Sequence, residues 1–244
     1  MLVAIHQPHY VPWLGYLDRM ARADLFIVLD HVQFERRNYQ NRTMIRLEDE
    51  SRWLTVPVVQ VSQKERIVEK QVDNSEGGSR AWGPTHFKTL KYAYRKAAFF
   101  DHYAPRLQQI LEARWDKLID LDLAMLDFLR ESFEIRTPLK RSSEMRGEGA
   151  RSELLLNLCR EIGPGTTFFG GLGGSRHYLD HAAFKAAGIG VQWQEFRHPT
   201  YPQCGDGPFI PGLMSLDLLF NFGPRARDLL WQRSATKDEE RLAA

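Results

Sequence analysis

Two short apolar runs, Leu2–Ile5 and Leu25–Leu29, flank a segment in which Leu14, Leu17, Met20 and Ala21 recur at helical spacing. Strand, loop, helix and strand in so short a span make a βαβ unit, which joins parallel strands through a right-handed crossover. That one feature excludes all-helical and all-antiparallel architectures.

The rest of the chain supports the same reading. Thr43–Leu47 and Trp53–Val59 look like a β-hairpin across the charged stretch between them, and Gln60–Gly83 reads as a polar loop. Residues 85–134 turn helical, with three helices expected and breaks near Phe99–His102 and Trp115–Lys117. Pro138–Ser142, Thr166–Phe169 and Ile189–Phe196 read as further strands, and Arg151–Ile162, Ser175–Ala187 and Leu216–Phe222 as helices, followed by a short helix over 224–232. The expected fold is α/β: a doubly wound, mainly parallel sheet with helices on both faces, an inserted β-hairpin and a helical segment. Residues 1–233 are expected to form a single domain with a helical insertion near 85–134, and 234–244 a polar C-terminal tail.

Composition limits the partners. A chain of 244 residues with 43% hydrophobic and 26% charged residues is globular rather than disordered. A net charge of +2 supplies no basic surface for nucleic acid, so the expected partner is a small molecule and no nucleic acid. Cys159 and Cys204 form neither a disulfide framework nor a metal spacing. The opening residues lack the basic run of a signal peptide, and no membrane span is expected; the location expected is cytoplasmic.

Four segments carry candidate chemistry. His6, Gln7 and Tyr10 follow the first strand, where ligands of open parallel sheets bind. After the second strand, Asp30 precedes a run from Gln33 to Arg42 with three basic side chains and four amides. Within it Arg37 and Arg42 offer planar forks for phosphate or carboxylate, Asn38, Gln40 and Asn41 offer amides to a polar substrate edge, and Gln33 is expected to help position the substrate. Third, glycines in the loop after Phe169, with Gly173, Gly174, Ser175 and Arg176 at a helix start, suggest a phosphate cradle. The fourth segment holds His198, Tyr201 and Asp217; Asp217 either faces a pocket or anchors the proline-rich loop. His177 and His181 are four apart, but no third ligand accompanies them, so no metal is expected.

Several stretches carry a family resemblance: IHQPHYVPWLGY at residues 5–16, ADLFIVLDHVQF at 23–34, RNYQNR at 37–42, WLTVP at 53–57, GIGV at 188–191, YPQ at 201–203, FIP at 209–211 and MSLDLLFNFG at 214–223. In this order they resemble the WbqC-like family of bacterial proteins linked to surface-polysaccharide (O-antigen) gene clusters. The family's opening pattern is matched by Gln7, Pro8, Tyr10, Pro12, Gly15 and Tyr16. The resemblance implies a pathway context. With the candidate segments it suggests a group-transfer enzyme, a transferase that moves an acyl or aminoacyl group onto an activated sugar or otherwise modifies one. In this reading His6 is a general base and Gln7 and Asp30 are catalytic partners. The substrate expected is anionic or phosphate-bearing, a carrier protein is a further partner, and the cofactor is left open.

A second resemblance is to nucleotidylyltransferase-like enzymes, whose H-x-G-H signature would fall on Trp13-Leu14-Gly15-Tyr16. Both signature histidines are replaced, which disfavours nucleotidyl transfer. A non-catalytic binding protein of the same pathway is the third alternative.

Overall fold

The structure is a computed structural model that describes residues 1–75, 81–171 and 173–231. Part of the polar loop expected over Gln60–Gly83 and the whole expected tail 234–244 lie outside the described residues. The first strand β1 (Leu2–His6), helix α1 (Leu14–Arg22) and strand β2 (Leu25–Val28) form the parallel βαβ unit. Strands β3 (Arg42–Leu47) and β4 (Glu50–Thr55) form an antiparallel hairpin. Helices α2 (Trp82–Tyr94), α3 (Phe100–Glu112) and α4 (Leu118–Ser132) follow. The chain returns to the sheet through β5 (Leu139–Arg141), α5 (Arg151–Ile162), β6 (Thr167–Gly170), the short helices α6 (Ser175–Tyr178) and α7 (His181–Ala186), and β7 (Gly190–Trp193). Helix α8 (Ser215–Phe222) and a helical turn over 226–231 close it.

The five sheet strands are all parallel, in the order β5-β2-β1-β6-β7. Alternation along each strand divides the core in two. Ala4, Phe26, Val28 and Phe169 pack with α1, α4 and α8, while Val3, Ile5, Leu25, Ile27 and Phe168 pack with α5 and α7. The fold is therefore α/β with helices on both faces, and each fully buried Leu or Phe contributes roughly 1.5–3 kcal/mol. Strand order reverses between β1 and β6, and such a switch point opens a crevice at the carboxyl ends of the two strands. Among the described residues no helix is long and apolar enough to cross a membrane.

Three local expectations differ from what is observed. The hairpin turn uses only Glu48 and Asp49, Glu48 at φ 57°, so β4 starts earlier than Trp53. Its polar residues Glu50, Ser51 and Arg52 remain in strand because that face is exposed. The helix expected over Ser175–Ala187 is broken: Asp180 caps α7 by accepting a hydrogen bond from Ala183 N at 3.0 Å. Finally, β7 ends at Trp193, because the Gln194 side chain turns inward to Gly15 O and Asp18.

Candidate functional site

His6 is the last residue of β1 and lies two positions beyond Ala4, on the face covered by α1. Its Nδ1 stands 2.8 Å from Gln7 O. A carbonyl oxygen only accepts, so Nδ1 carries the proton and Nε2 keeps a free lone pair. The His6 ring meets His9 and Tyr16 edge-on, at centroid distances of 4.7 and 4.9 Å. His9 in turn stacks on Tyr39 at 5.2 Å.

The loop after β2 is brought to this place by main-chain and amide bonds. Tyr10 N donates to Tyr39 O, and Gln40 Nε2 donates to Gln7 Oε1 at 2.9 Å. Thr43 Oγ1 donates to Val11 O, which fastens the hairpin to the loop after β1.

Helix α1 adds a group that the sequence did not single out. Side chains tilt toward the amino end of their helix, so Arg19 reaches back toward the carboxyl edge of the sheet on the same helix face as Tyr16. Extending the β1–β6 register places Gly171 level with His6. A Cβ on Gly171 would stand 1.9 Å from a guanidinium nitrogen of Arg19, so any side chain there would push the guanidinium from its place. By contrast, a Cβ on Gly173 meets nothing within 4 Å. The steric need for glycine thus falls on the first pair of the glycine-rich segment and not on the second.

His9, Tyr16 and Arg19 are 7%, 1% and 5% exposed, and His9 Nδ1, Tyr16 Oη and Arg19 Nε have no hydrogen-bond partner. Burial, then the Arg19 cation, holds the His6 imidazole well below its usual pKa and lowers that of His9 to about 3. Both rings are therefore neutral at physiological pH. Burial also lowers Arg19 to about 10, which still leaves it charged.

The other expected site residues are distributed as follows. Asp30 is fully buried and accepts from Arg141 Nε at 2.7 Å, Ser143 N at 2.8 Å and the hydroxyls of Ser142 and Ser143. Tyr10 Oη bonds His86 Nδ1 at 3.0 Å beneath the hairpin. Asn41 donates to Val56 O inside the hairpin base, Gln33 to Gln63 O, and Asn38 to Glu35. Arg42 lies 3.9 Å over the Trp53 ring and donates to Arg37 O.

Gly173 and Gly174 are exposed, Ser175 is half-buried, and Arg176 extends over the Trp193 ring at 5.9 Å. Helix α6 has only four residues, too short for an appreciable dipole at its start. His198 is held at Pro199 O through Nδ1, beside Tyr201 and Phe209. Asp217 accepts from Tyr94 Oη and Gln203 Nε2, at 3.0 and 3.1 Å, and so anchors the proline-rich loop.

The structure therefore joins the segments around His6, Gln7 and Gln40, and adds His9, Tyr16, Arg19 and Gly171. A signal for Arg19 exists in the sequence: Asp18 and Arg22 pair at i,i+4, which leaves Arg19 unmatched. A surface depression of about 510 Å³ lies elsewhere, at the amino-terminal edge of the sheet beside Asp24, Arg136, Arg227 and Trp231. Among the described residues no group of three or more His, Cys, Asp or Glu is placed to hold a metal ion.

Comparison with known proteins gives a consistent context. The chain is 33% identical over 231 residues to "Uncharacterized protein Rv1507c" of Mycobacterium tuberculosis (strain ATCC 25618 / H37Rv), covering 93% of this chain and 96% of the relative. No solved structure matches it. The family model described as "WbqC-like protein family" matches residues 7–229, from the loop after β1, through the hairpin and the glycine segment, into the last helical turn. With so nearly complete a match, the chain belongs to the WbqC-like protein family.

Proposed function

We propose that this protein is a group-transfer enzyme of bacterial surface-polysaccharide biosynthesis that moves an acyl or aminoacyl group onto an activated sugar. Membership of the WbqC-like family suggests the pathway context. The observation that carries the chemistry is the state of His6: its Nδ1 proton is given to Gln7 O, and its free Nε2 belongs to a neutral imidazole at the switch point of the sheet.

In this reading the acceptor amine or hydroxyl attacks the acyl carbon of a thioester or similarly activated donor, and Nε2 takes the proton it loses. The bond from that carbon to its leaving sulfur or oxygen breaks, and the imidazolium returns the proton to the leaving atom. Gln7, fixed by Gln40, orients the turn that holds His6. Asp30 acts at a distance, by tying the ends of β2 and β5 together.

The test is product detection by mass spectrometry, with purified protein, nucleotide-activated amino sugars and acyl thioesters in pairwise combination. One pair is expected to yield an acylated sugar, and His6→Ala to abolish it. No product from any pair, together with unaltered surface polysaccharide in cells carrying His6→Ala, would defeat the proposal.

A further inference from the structure

Among the described residues two arginines are almost wholly buried, and they are treated in opposite ways. Arg46, 3% exposed, donates to Glu48 O, Gln203 Oε1, Pro208 O and Asp49 Oδ1, so its guanidinium is satisfied by the protein. Arg19, 5% exposed, has no ion pair or hydrogen bond among the described residues. Its sequence neighbour Asp18 is committed to Arg22 and Gln194. Asp18 therefore offers Arg19 an electrostatic counter-charge but no hydrogen bond; a buried guanidinium with an unmet donor is unfavourable, and an oxyanion ligand would meet it.

The surroundings match that ligand. His9 Nδ1 and Tyr16 Oη are also buried without partners, and both rings adjoin His6. Imidazole, phenol and guanidinium offer N–H and O–H donors to one acceptor group, and they come from the loop after β1 and from α1. The bare main chain of Gly171 lies against the Arg19 guanidinium. Asp122, the buried carboxyl group that bears on Tyr16, has its pKa raised by burial and is not among the groups acting on Arg19.

We infer that Arg19, His9, Tyr16 and the Gly171 main chain form the seat of a phosphoryl or diphosphoryl group on the substrate, beside the His6 base. This names the substrate class of the site proposed above and rests on that reading. It also moves the anion seat away from the exposed Gly173–Arg176 turn to the switch point itself. The donors are those an oxyanion requires, and a sugar carboxylate shares that chemistry, so the test separates the two.

The experiment is calorimetric titration and thermal denaturation of the full chain with inorganic pyrophosphate, inorganic phosphate and glucuronate as probes. Pyrophosphate is expected to bind the wild type and raise its Tm, with glucuronate weaker. Arg19→Gln should bind pyrophosphate about tenfold or more weakly. Without ligand, Arg19→Gln should hold or raise the Tm, whereas Arg46→Gln should lower it, since only Arg46 has partners to lose. Arg19→Lys, which keeps the charge and loses the fork, should retain part of the binding and covers the case of a misfolded Gln variant.

Binding that depends on Arg19 without any transfer product upholds the seat and defeats the reaction. Absence of pyrophosphate binding by the wild type, equal binding by Arg19→Gln, or preference for glucuronate overturns the inference.

Discussion

Arg19 and Gly171, on α1 and at the end of β6, touch so closely that a single methyl group on Gly171 would stand 1.9 Å from the guanidinium. Gly171→Ala must therefore displace Arg19, while Gly173→Ala enters open space. Gly171→Ala is expected to weaken pyrophosphate binding about tenfold, near 1.4 kcal/mol, and Gly173→Ala to leave it unchanged. Titration of both variants decides the matter, and equal effects at the two positions would contradict it.

The histidines set the acid limit of stability. Burial lowers His9 to about 3 and His86 to about 4, against 6.5 in the unfolded chain. Below pH 6.5 the unfolded chain binds protons that the folded chain refuses, so stability is full above 6.5 and declines as pH falls toward 4. A tenfold difference in proton affinity between the two states is worth about 1.4 kcal/mol, so the total loss is on the order of a few kcal/mol. Urea denaturation at stepped pH should show the decline beginning near 6.5; a flat profile down to pH 4 would be contrary to it.

The same depression of His6 bears on catalysis. Its imidazole remains neutral well below the usual value of 6.5, so a base at this position is available across that range. In the proposed transfer reaction, kcat/KM should stay level as pH drops through 6.5, and fall only at lower pH. An acid limb centred on 6.5 would point to a different, solvent-exposed base.

Asp122 is a buried carboxyl group with both oxygens unpartnered, and burial raises its pKa well above 3.8. Here the sign is reversed. The unfolded chain loses this proton near 3.8 and the folded chain keeps it, so the fold is penalised increasingly as pH rises above 3.8. Asp122→Asn removes the ionisation and should raise stability at neutral pH, with the gain shrinking toward pH 4. Thermal denaturation at pH 5 and pH 8 gives the comparison; a variant less stable at both would refute the assignment of a neutral acid.

Asp30 is held by one arginine, one main-chain amide and two hydroxyl groups. Asp30→Ala leaves Arg141 and the Ser143 amide without their acceptor and should cost about 3 kcal/mol or more. If Asp30 instead acted directly on substrate, Asp30→Asn would keep its stability and lose turnover. Chemical denaturation beside product formation distinguishes the two roles.

Much of this molecule is legible locally. The apolar run Leu2–Ile5, the helical spacing of Leu14, Leu17 and Met20, and the run Leu25–Leu29 specify the βαβ unit, because side-chain periodicity follows from backbone geometry alone. A histidine closing the first strand marks where a ligand of a parallel sheet belongs. Breaks inside helices were less visible: Asp180 ends one helix and caps the next through a bond to Ala183 that depends on the local main-chain path. The destinations of the charged side chains were the least visible. Asp18, Arg19 and Arg22 are neighbouring charges on one short helix; the i,i+4 pairing of Asp18 with Arg22 marks Arg19 as the odd one out, but nothing within the helix says that it is enclosed. That was decided when β6, remote in sequence, paired beside β1 and set Gly171 against Arg19. Burial of a charge is a property of packing between distant segments, and periodicity carries no record of it.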